Sequence, residues 1–275
     1  MNAEVTALLK KTDMLMTGRL PARKDYRGPV YVGVDLGTAY TVLVVLDENY
    51  QPIAGTYQFA QVVRDGLVVD FQGAIALLRK LKAQIENQLG FELTSGASGY
   101  PPGVAQVEVR ATAHVLEAAG LICTGLVDEP TAANNVLGIR DGAIVDVGGG
   151  TTGVAIFKDG EKIYTADEPT GGTQFSLVIA GAKDISFEDA EKLKTDPRRQ
   201  SELFPIIRPT MEKVASIVSR HINGHNIDRI YLVGGTANFP RIAEVVQEYT
   251  GVPASIPASP TFITPLGIAM HNQPL

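Results

Sequence analysis

The sequence predicts an α/β protein of two lobes, each a mixed sheet with helices, built twice on one plan. Three observations carry this. One is an internal repeat: YVGVDLGTAYTVLVVLDENYQPIAG lines up with AIVDVGGGTTGVAIFKDGEKIYTA. In both, a β-rich run reaches an aspartate, then a Gly-rich turn, then two further strands. Asp35 and Asp146 each stand two residues before a glycine, Gly37 and Gly148. A second is the alternation of helical and β-rich segments after each copy, the pattern of α/β folds. The third is size: 275 residues, 45% hydrophobic, fill one large domain or two compact lobes.

The elements follow in order. Residues 1–29 stand apart as an N-terminal extension. Val5, Leu8, Leu9, Thr12, Leu15 and Met16 make a short helical stripe, before Gly18, Pro21 and the charged Arg23-Lys24-Asp25. Such a stripe suits packing on the body or docking into a partner's groove. From Val30, VYVGVDL reads as a strand, and the run after it as a hairpin turning at Glu48-Asn49. Residues 73–89 place Ile75, Leu78, Ile85 and Leu89 at helical spacings. SGASGYP is a short strand ended by proline, VAQVEVRATAHVLEAAG a helix closed by Gly120, and CTGLVDEP a strand. The lobes are expected over 30–139, joined by a C-terminal helix at 260–275, and over 140–259.

Composition excludes several classes. A formal net charge of −6 argues against a nucleic-acid binder, whose footprint is basic. A single cysteine, Cys123, forbids an internal disulfide and a Cys-x-x-Cys metal site, and suits a reducing cytoplasm. No apolar run reaches the roughly 20 residues that span a bilayer. Glu4, Lys10, Lys11 and Asp13 interrupt the N-terminus, unlike a secretory signal. The expected location is cytoplasmic.

Two Asp-x-Gly turns make sense as a phosphate clamp. Glycine lets backbone N–H groups approach phosphate oxygens closely. The hydroxyls of Thr38, Thr151 and Thr152 add donors, and two carboxylates beside phosphates imply a cation. Mg²⁺ fits, since it keeps several waters and bridges carboxylate to phosphate. His221 and His225, spaced i, i+4, could present two metal ligands, but Asn223 and Gly224 end the helix between them and no third ligand is evident. Cys123, in an apolar strand, reads as an inert thiol, and Arg198-Arg199 as a solvated turn.

Four motifs in order resemble the actin, sugar-kinase and heat-shock-chaperone ATPase superfamily. GVDLGTAYTVLVV resembles its first phosphate motif, IVDVGGGTTGVAIF its second, GLVDEPTAANNVLG its connecting motif, and DRIYLVGGTANFPRIAEVV its adenosine motif. RDGLVVDFQGAIALL is similar to a segment of bacterial actin homologues, and ISFEDAEKLK to the helix that gives a Glu and a Lys to the adenosine. The fold implied is a pair of duplicated ribonuclease H-like (actin-like ATPase) lobes with a nucleotide cleft between them, holding ATP or ADP with Mg²⁺. Asp35 and Asp146 would hold the metal through water. Gly37, Thr38, Gly148, Gly149, Gly150 and Thr151 would contact phosphates, and Glu129 would position the metal or the attacking water. Gly234, Gly235 and Thr236 would flank the adenosine, with Glu191 and Lys194 contacting it.

Compact length, reduced subdomains and the N-terminal extension resemble the EutJ family in particular. That resemblance implies a chaperone-like role near a bacterial microcompartment, with a protein client of the ethanolamine-utilisation pathway. Departures set limits: the subdomain bearing the chaperones' catalytic lysine is missing between Ala54 and Asp70, and Gly153 and Thr261 stand where many relatives have acids. The chaperones' peptide-binding domain is also absent from the chain. Nucleotide binding with slow or partner-stimulated hydrolysis is therefore expected. A small-molecule kinase and a filament-forming protein are the alternatives.

Overall fold

The computed structural model describes residues 2–64 and 66–274. The chain divides into two compact units, Met1–Gly138 with Phe262–Leu275, and Ile139–Thr261.

In the first unit, helix α1 (Ala3–Met16) starts at Asn2, whose side chain accepts the Glu4 N–H at 3.1 Å. Its stripe is spent on packing: Leu9, Leu15 and Met16 are buried. Met16 lies over Gly55, where a Cβ would come within 2.6 Å of its sulfur. The linker is tied down as well. The Arg23 N–H donates to the Ile53 carbonyl at 2.9 Å, and the buried Tyr26 hydroxyl meets the Glu48 carboxylate and the Pro29 carbonyl.

Strands β1 (Tyr31–Leu36), β2 (Tyr40–Leu46) and β3 (Pro52–Phe59) form an antiparallel meander. The β2–β3 turn is braced by buried Asp47, which accepts the N–H groups of Asn49 and Gln51. A two-stranded ladder, β4 (Val63–Arg64) with β5 (Leu67–Val68), fills the stretch before Asp70, a feature the sequence did not announce. Helix α2 (Phe71–Leu89) is capped by the Asp70 side chain and ended by left-handed Gly90. Strands β6 (Ser95–Tyr100) and β7 (Ile122–Asp128) join β1 in parallel, giving the order β3-β2-β1-β6-β7. Helices α3 (Gln106–Ala118) and α4 (Glu129–Leu137) follow β6 and β7.

The second unit repeats this plan. Strands β8 (Gly142–Val147), β9 (Thr152–Lys158) and β10 (Glu161–Glu168) form the meander, and β11 (Ile230–Val233) and β12 (Ala254–Ser255) extend it in parallel. The order β10-β9-β8-β11-β12 is that of the first sheet. Four helices belong to this unit: α5 (Gly172–Lys183), α6 (Phe187–Thr195), α7 (Gln200–Ile222) and α8 (Ile242–Thr250). The core gathers Val145, Ile156, Phe175, Met211, Val214 and Leu232. Helix α9 (Ile263–Ala269) returns to the first unit and lies on β1. Only bare backbone admits it: a Cβ at Gly33 would sit 2.5 Å from the Pro265 carbonyl, and one at Gly267 would run into the Ala132 carbonyl.

The repeat seen in sequence is a repeat of hairpin register. Asp35 faces Val42 as Asp146 faces Gly153, and Leu36 faces Thr41 as Val147 faces Thr152. Gly37 donates to the Tyr40 carbonyl at 3.1 Å and Gly148 to the Thr151 carbonyl at 3.0 Å. The loops thus have equal length, and Thr38 occupies the place of Gly149, and Tyr40 that of Thr151.

Candidate functional site

In each unit the parallel strands end at one sheet edge, where open α/β sheets take their ligands. In the first unit β1 ends in Asp35-Leu36, and β7 ends in Asp128 with Glu129 opening α4. The Asp128 side chain accepts the Thr131 N–H at 3.1 Å, capping α4. Glu129 sits in the first helical turn, with its Cγ 3.6 Å from where a Cβ of Gly99 would stand. The Asp35–Thr38 turn is backed by aromatic rings: Tyr40 packs on Tyr57 and Phe59 at 5.7 and 5.6 Å.

The second unit assembles the fuller set. β8 ends in buried Asp146-Val147, and the turn 148–151 follows. The start of α5 closes on that turn. The Gly172 N–H donates to the Gly148 carbonyl at 2.9 Å and the Thr173 N–H to the Gly149 carbonyl at 2.7 Å. The unpaired donors of a helix start are thereby satisfied by the turn itself. Gly171 is required for this approach, since a Cβ there would lie 2.7 Å from the Gly148 carbonyl. Gly171 and Gly172 are site residues that sequence reasoning missed. The signal was available, a Gly-Gly pair directly before an apolar helical run.

Two more elements reach the same place. β11 leads to Gly234, whose φ of 89° and ψ of 164° suit glycine, and whose absent Cβ makes room for the Asp146 carboxylate. Gly235 is exposed with open space where a Cβ would be, and the buried Thr236 hydroxyl donates to the Gly148 carbonyl at 2.7 Å. Helix α6, capped by Ser186, sets Glu191 and Lys194 on one face by their i, i+3 spacing. They form an ion pair at 2.7 Å, only about a tenth exposed on each side. The Ser176 hydroxyl donates to Glu191 at 2.5 Å, and the Lys194 ammonium to the Gly172 carbonyl at 3.0 Å. Burial pulls the Lys194 ammonium below its ordinary pKa, against the opposing pull of Glu191.

Asp146, Gly148, Gly149, Glu191, Lys194, Gly234 and Thr236 are thus one linked group, together with Gly171 and Gly172. Asp35, Gly37, Thr38 and Glu129 lie at the strand ends of the other unit. The histidine pair is engaged elsewhere. His221 meets the Tyr164 hydroxyl through Nδ1 at 2.7 Å and Glu168 through Nε2 at 2.8 Å, and the His225 ring leans on Tyr164. Cys123 is half-buried, and burial pushes its thiol pKa up. Arg198 and Arg199 pair with Asp196 and Glu202.

Comparison with known proteins bears on the chain as a whole. Residues 103–265 match the family model described as Type IV pilus assembly protein PilM. The chain is 41% identical over 270 residues to ethanolamine utilization protein EutJ of Salmonella typhimurium strain LT2, covering 98% of this chain and 94% of that one. The crystal structure of EutJ from Carboxydothermus hydrogenoformans superposes with a TM-score of 0.92 at 44% identity, over 98% of each chain. MreB5 of Spiroplasma citri bound to AMPPNP shares the fold, with a TM-score of 0.71 at 16% identity over 89% of this chain and 96% of that one.

Two units on one plan, each with an Asp-x-Gly hairpin at the end of its parallel strands, define a member of the actin and heat-shock-chaperone ATPase superfamily. The resemblance read from the four motifs holds at the level of the whole fold. The chain belongs to the ethanolamine utilisation protein EutJ family.

Proposed function

We propose that the protein binds ATP or ADP with Mg²⁺ and uses the nucleotide to govern its association with a protein client in ethanolamine utilisation. The observation that carries this is the orientation of the turn 148–151. In a trans peptide the C=O and N–H point opposite ways. With the Gly148 and Gly149 carbonyls held by Gly172, Thr236 and Thr173, the N–H groups of Gly149 and Gly150 are turned to the other side. Two adjacent N–H groups aimed together suit a phosphate oxygen. The anionic Asp146 beside them fits a hydrated Mg²⁺, which when bound neutralises phosphate charge. Asp146 would hold it through water, and Asp35 holds the matching position in the turn of the first unit.

Phosphate contacts fall to Gly37, Thr38, Gly148, Gly149, Gly150 and Thr151. The nucleoside falls to Gly234, Gly235, Glu191 and Lys194. Glu129, at the start of α4, orients the attacking water. Hydrolysis is slow in this reading, because a cationic group aimed at the reacting phosphate supplies much of the transition-state stabilisation in fast enzymes, and the segment that carries it in chaperones is here the short β4–β5 ladder. The output is an assembly or reactivation role at the ethanolamine-utilising machinery, including its microcompartment. A nucleotide can switch client binding only by favouring one state of the protein over another.

Calorimetry with Mg-ATP and Mg-ADP tests the binding step. Asp146→Ala removes a charge-assisted hydrogen-bonding group, worth about 1.5–3 kcal/mol, so affinity falls roughly tenfold to a hundredfold. No heat and no thermal shift with the wild-type protein would overturn the proposal.

A further inference from the structure

Thr236 follows the Gly-Gly pair in the motif that resembles an adenosine site, and its position suggests a nucleoside contact. Its hydroxyl proton is committed elsewhere. It is donated at 2.7 Å to the carbonyl of Gly148, a residue of the phosphate turn on a different strand connection. Thr236 is buried, at 8% exposure. Its hydroxyl fits there because Gly172 has no side chain, since a Cβ at 172 would stand 2.5 Å from that oxygen. The Gly148 carbonyl consequently accepts two hydrogen bonds, from Thr236 and from the Gly172 N–H, while the Gly149 carbonyl accepts one from Thr173.

These bonds fix two successive peptide planes. Glycine peptides are otherwise the freest in the chain, with no side chain to hold their φ and ψ. A turn of three glycines, 148–150, would spread its N–H groups over many directions without external ties. We propose that Thr236 is a positioning residue for the phosphate turn, setting the direction of the Gly149 and Gly150 N–H groups through the Gly148 carbonyl. This rests on the nucleotide reading above, and it moves Thr236 from the nucleoside end of the ligand to the phosphate end. It also links the two ends: the loop that carries Gly235 is bonded to the loop that carries Gly148.

The test separates the two ends of the ligand. Thr236→Val keeps the shape and deletes the donor, and Thr236→Ser keeps the donor. Affinities for Mg-ADP, Mg-pyrophosphate and adenosine are measured by competition against a fluorescent ADP. Thr236→Val should weaken Mg-ADP and Mg-pyrophosphate by the same factor, about threefold to tenfold for one hydrogen bond, and leave adenosine unchanged. Thr236→Ser should bind all three like the wild type. Equal losses for adenosine and Mg-ADP with pyrophosphate unaffected, or no loss for any ligand, would overturn the inference. Wild-type protein that binds none of the three would instead sink the nucleotide reading. Should Thr236→Val fail to fold, the amide resonances of Gly149 and Gly150 in ¹⁵N-labelled wild-type protein decide. Both should move on adding Mg-pyrophosphate, and stationary resonances would refute the assigned direction of these groups.

Discussion

Gly234 and Gly235 are neighbours in sequence with opposite expected responses to the same substitution. Gly234 is buried with φ 89° and ψ 164°, a backbone region that is essentially glycine's own. Alanine there would hold its methyl 2.6 Å from the Val147 carbonyl and still closer to the Asp146 carboxylate. Backbone strain of about 1–3 kcal/mol and overpacking of about 1–3 kcal/mol act together. At about 2–4 °C per kcal/mol for a protein near this size, the melting temperature of Gly234→Ala should fall on the order of 10 °C. Gly235 has ordinary φ and open space on its Cβ side, so Gly235→Ala should stay within about 0.5 kcal/mol of wild type. Its methyl would occupy the space assigned to the nucleoside, so its Mg-ADP affinity should drop at least roughly tenfold, about 1.4 kcal/mol. Scanning calorimetry without ligand and titration with Mg-ADP read the two effects separately. Equal melting temperatures for the two variants would refute the packing argument. Wild-type affinity in a stable Gly235→Ala would refute the placement of the nucleoside.

Two further outcomes are expected. Glu129→Gln keeps the shape of the α4 start, whose cap is Asp128, so Mg-ADP affinity should persist while any ATP turnover falls by about a hundredfold or more; undiminished phosphate release would remove Glu129 from the chemistry. Tyr26 has its pKa raised to about 12, chiefly by burial and then by the hydrogen bond to Glu48. A raised value means the protonated phenol is favoured in the folded state, so its contribution is complete below the unfolded value near 10 and is lost as pH rises through 12. Alkaline unfolding of the wild type between these values should be steeper than that of Tyr26→Phe, and superposable pH profiles would show that the contact contributes nothing.

The hairpins were legible because their signal is local. Each has an aspartate, a glycine two residues on and alternating apolar strands, and equal spacing in sequence became equal register in the sheet. Glu191 and Lys194 were legible only through the resemblance of ISFEDAEKLK to a known helix, and their i, i+3 spacing on α6 then brings them together as an ion pair. Helix α7 was harder to read. Pro205 and Pro209 lie inside it, and proline removes a helical hydrogen bond and ordinarily breaks a helix. The buried row of Leu203, Ile207, Met211, Val214 and Val218 overrides that local preference. Gly171 and Gly172 left a local mark before their helix, but their contact with the turn and the use of the Thr236 hydroxyl depend on three chain segments meeting, a distance that no window along the sequence spans. The apolar stripe of α1 suited either of two surfaces, and only the pairing of Met16 with Gly55 shows which one buries it.

Helix α9 gives the chain an unusual order of completion. Unit two is a continuous stretch, Ile139–Thr261, whereas unit one is closed by residues from both ends of the chain. As the chain leaves the ribosome, domains ordinarily mature from the N-terminus onward. Here β1 emerges early, but the helix that lies on it, fitted at Gly33 and Gly267, emerges only after the whole second unit. At a synthesis rate of roughly 5–20 residues per second, the nascent first sheet waits on the order of ten seconds with that face uncovered. The second unit, a continuous stretch, can therefore close before the first has its last helix. A deletion that removes α9 would therefore injure the unit that carries Asp35 and Glu129 and spare the one that carries Asp146.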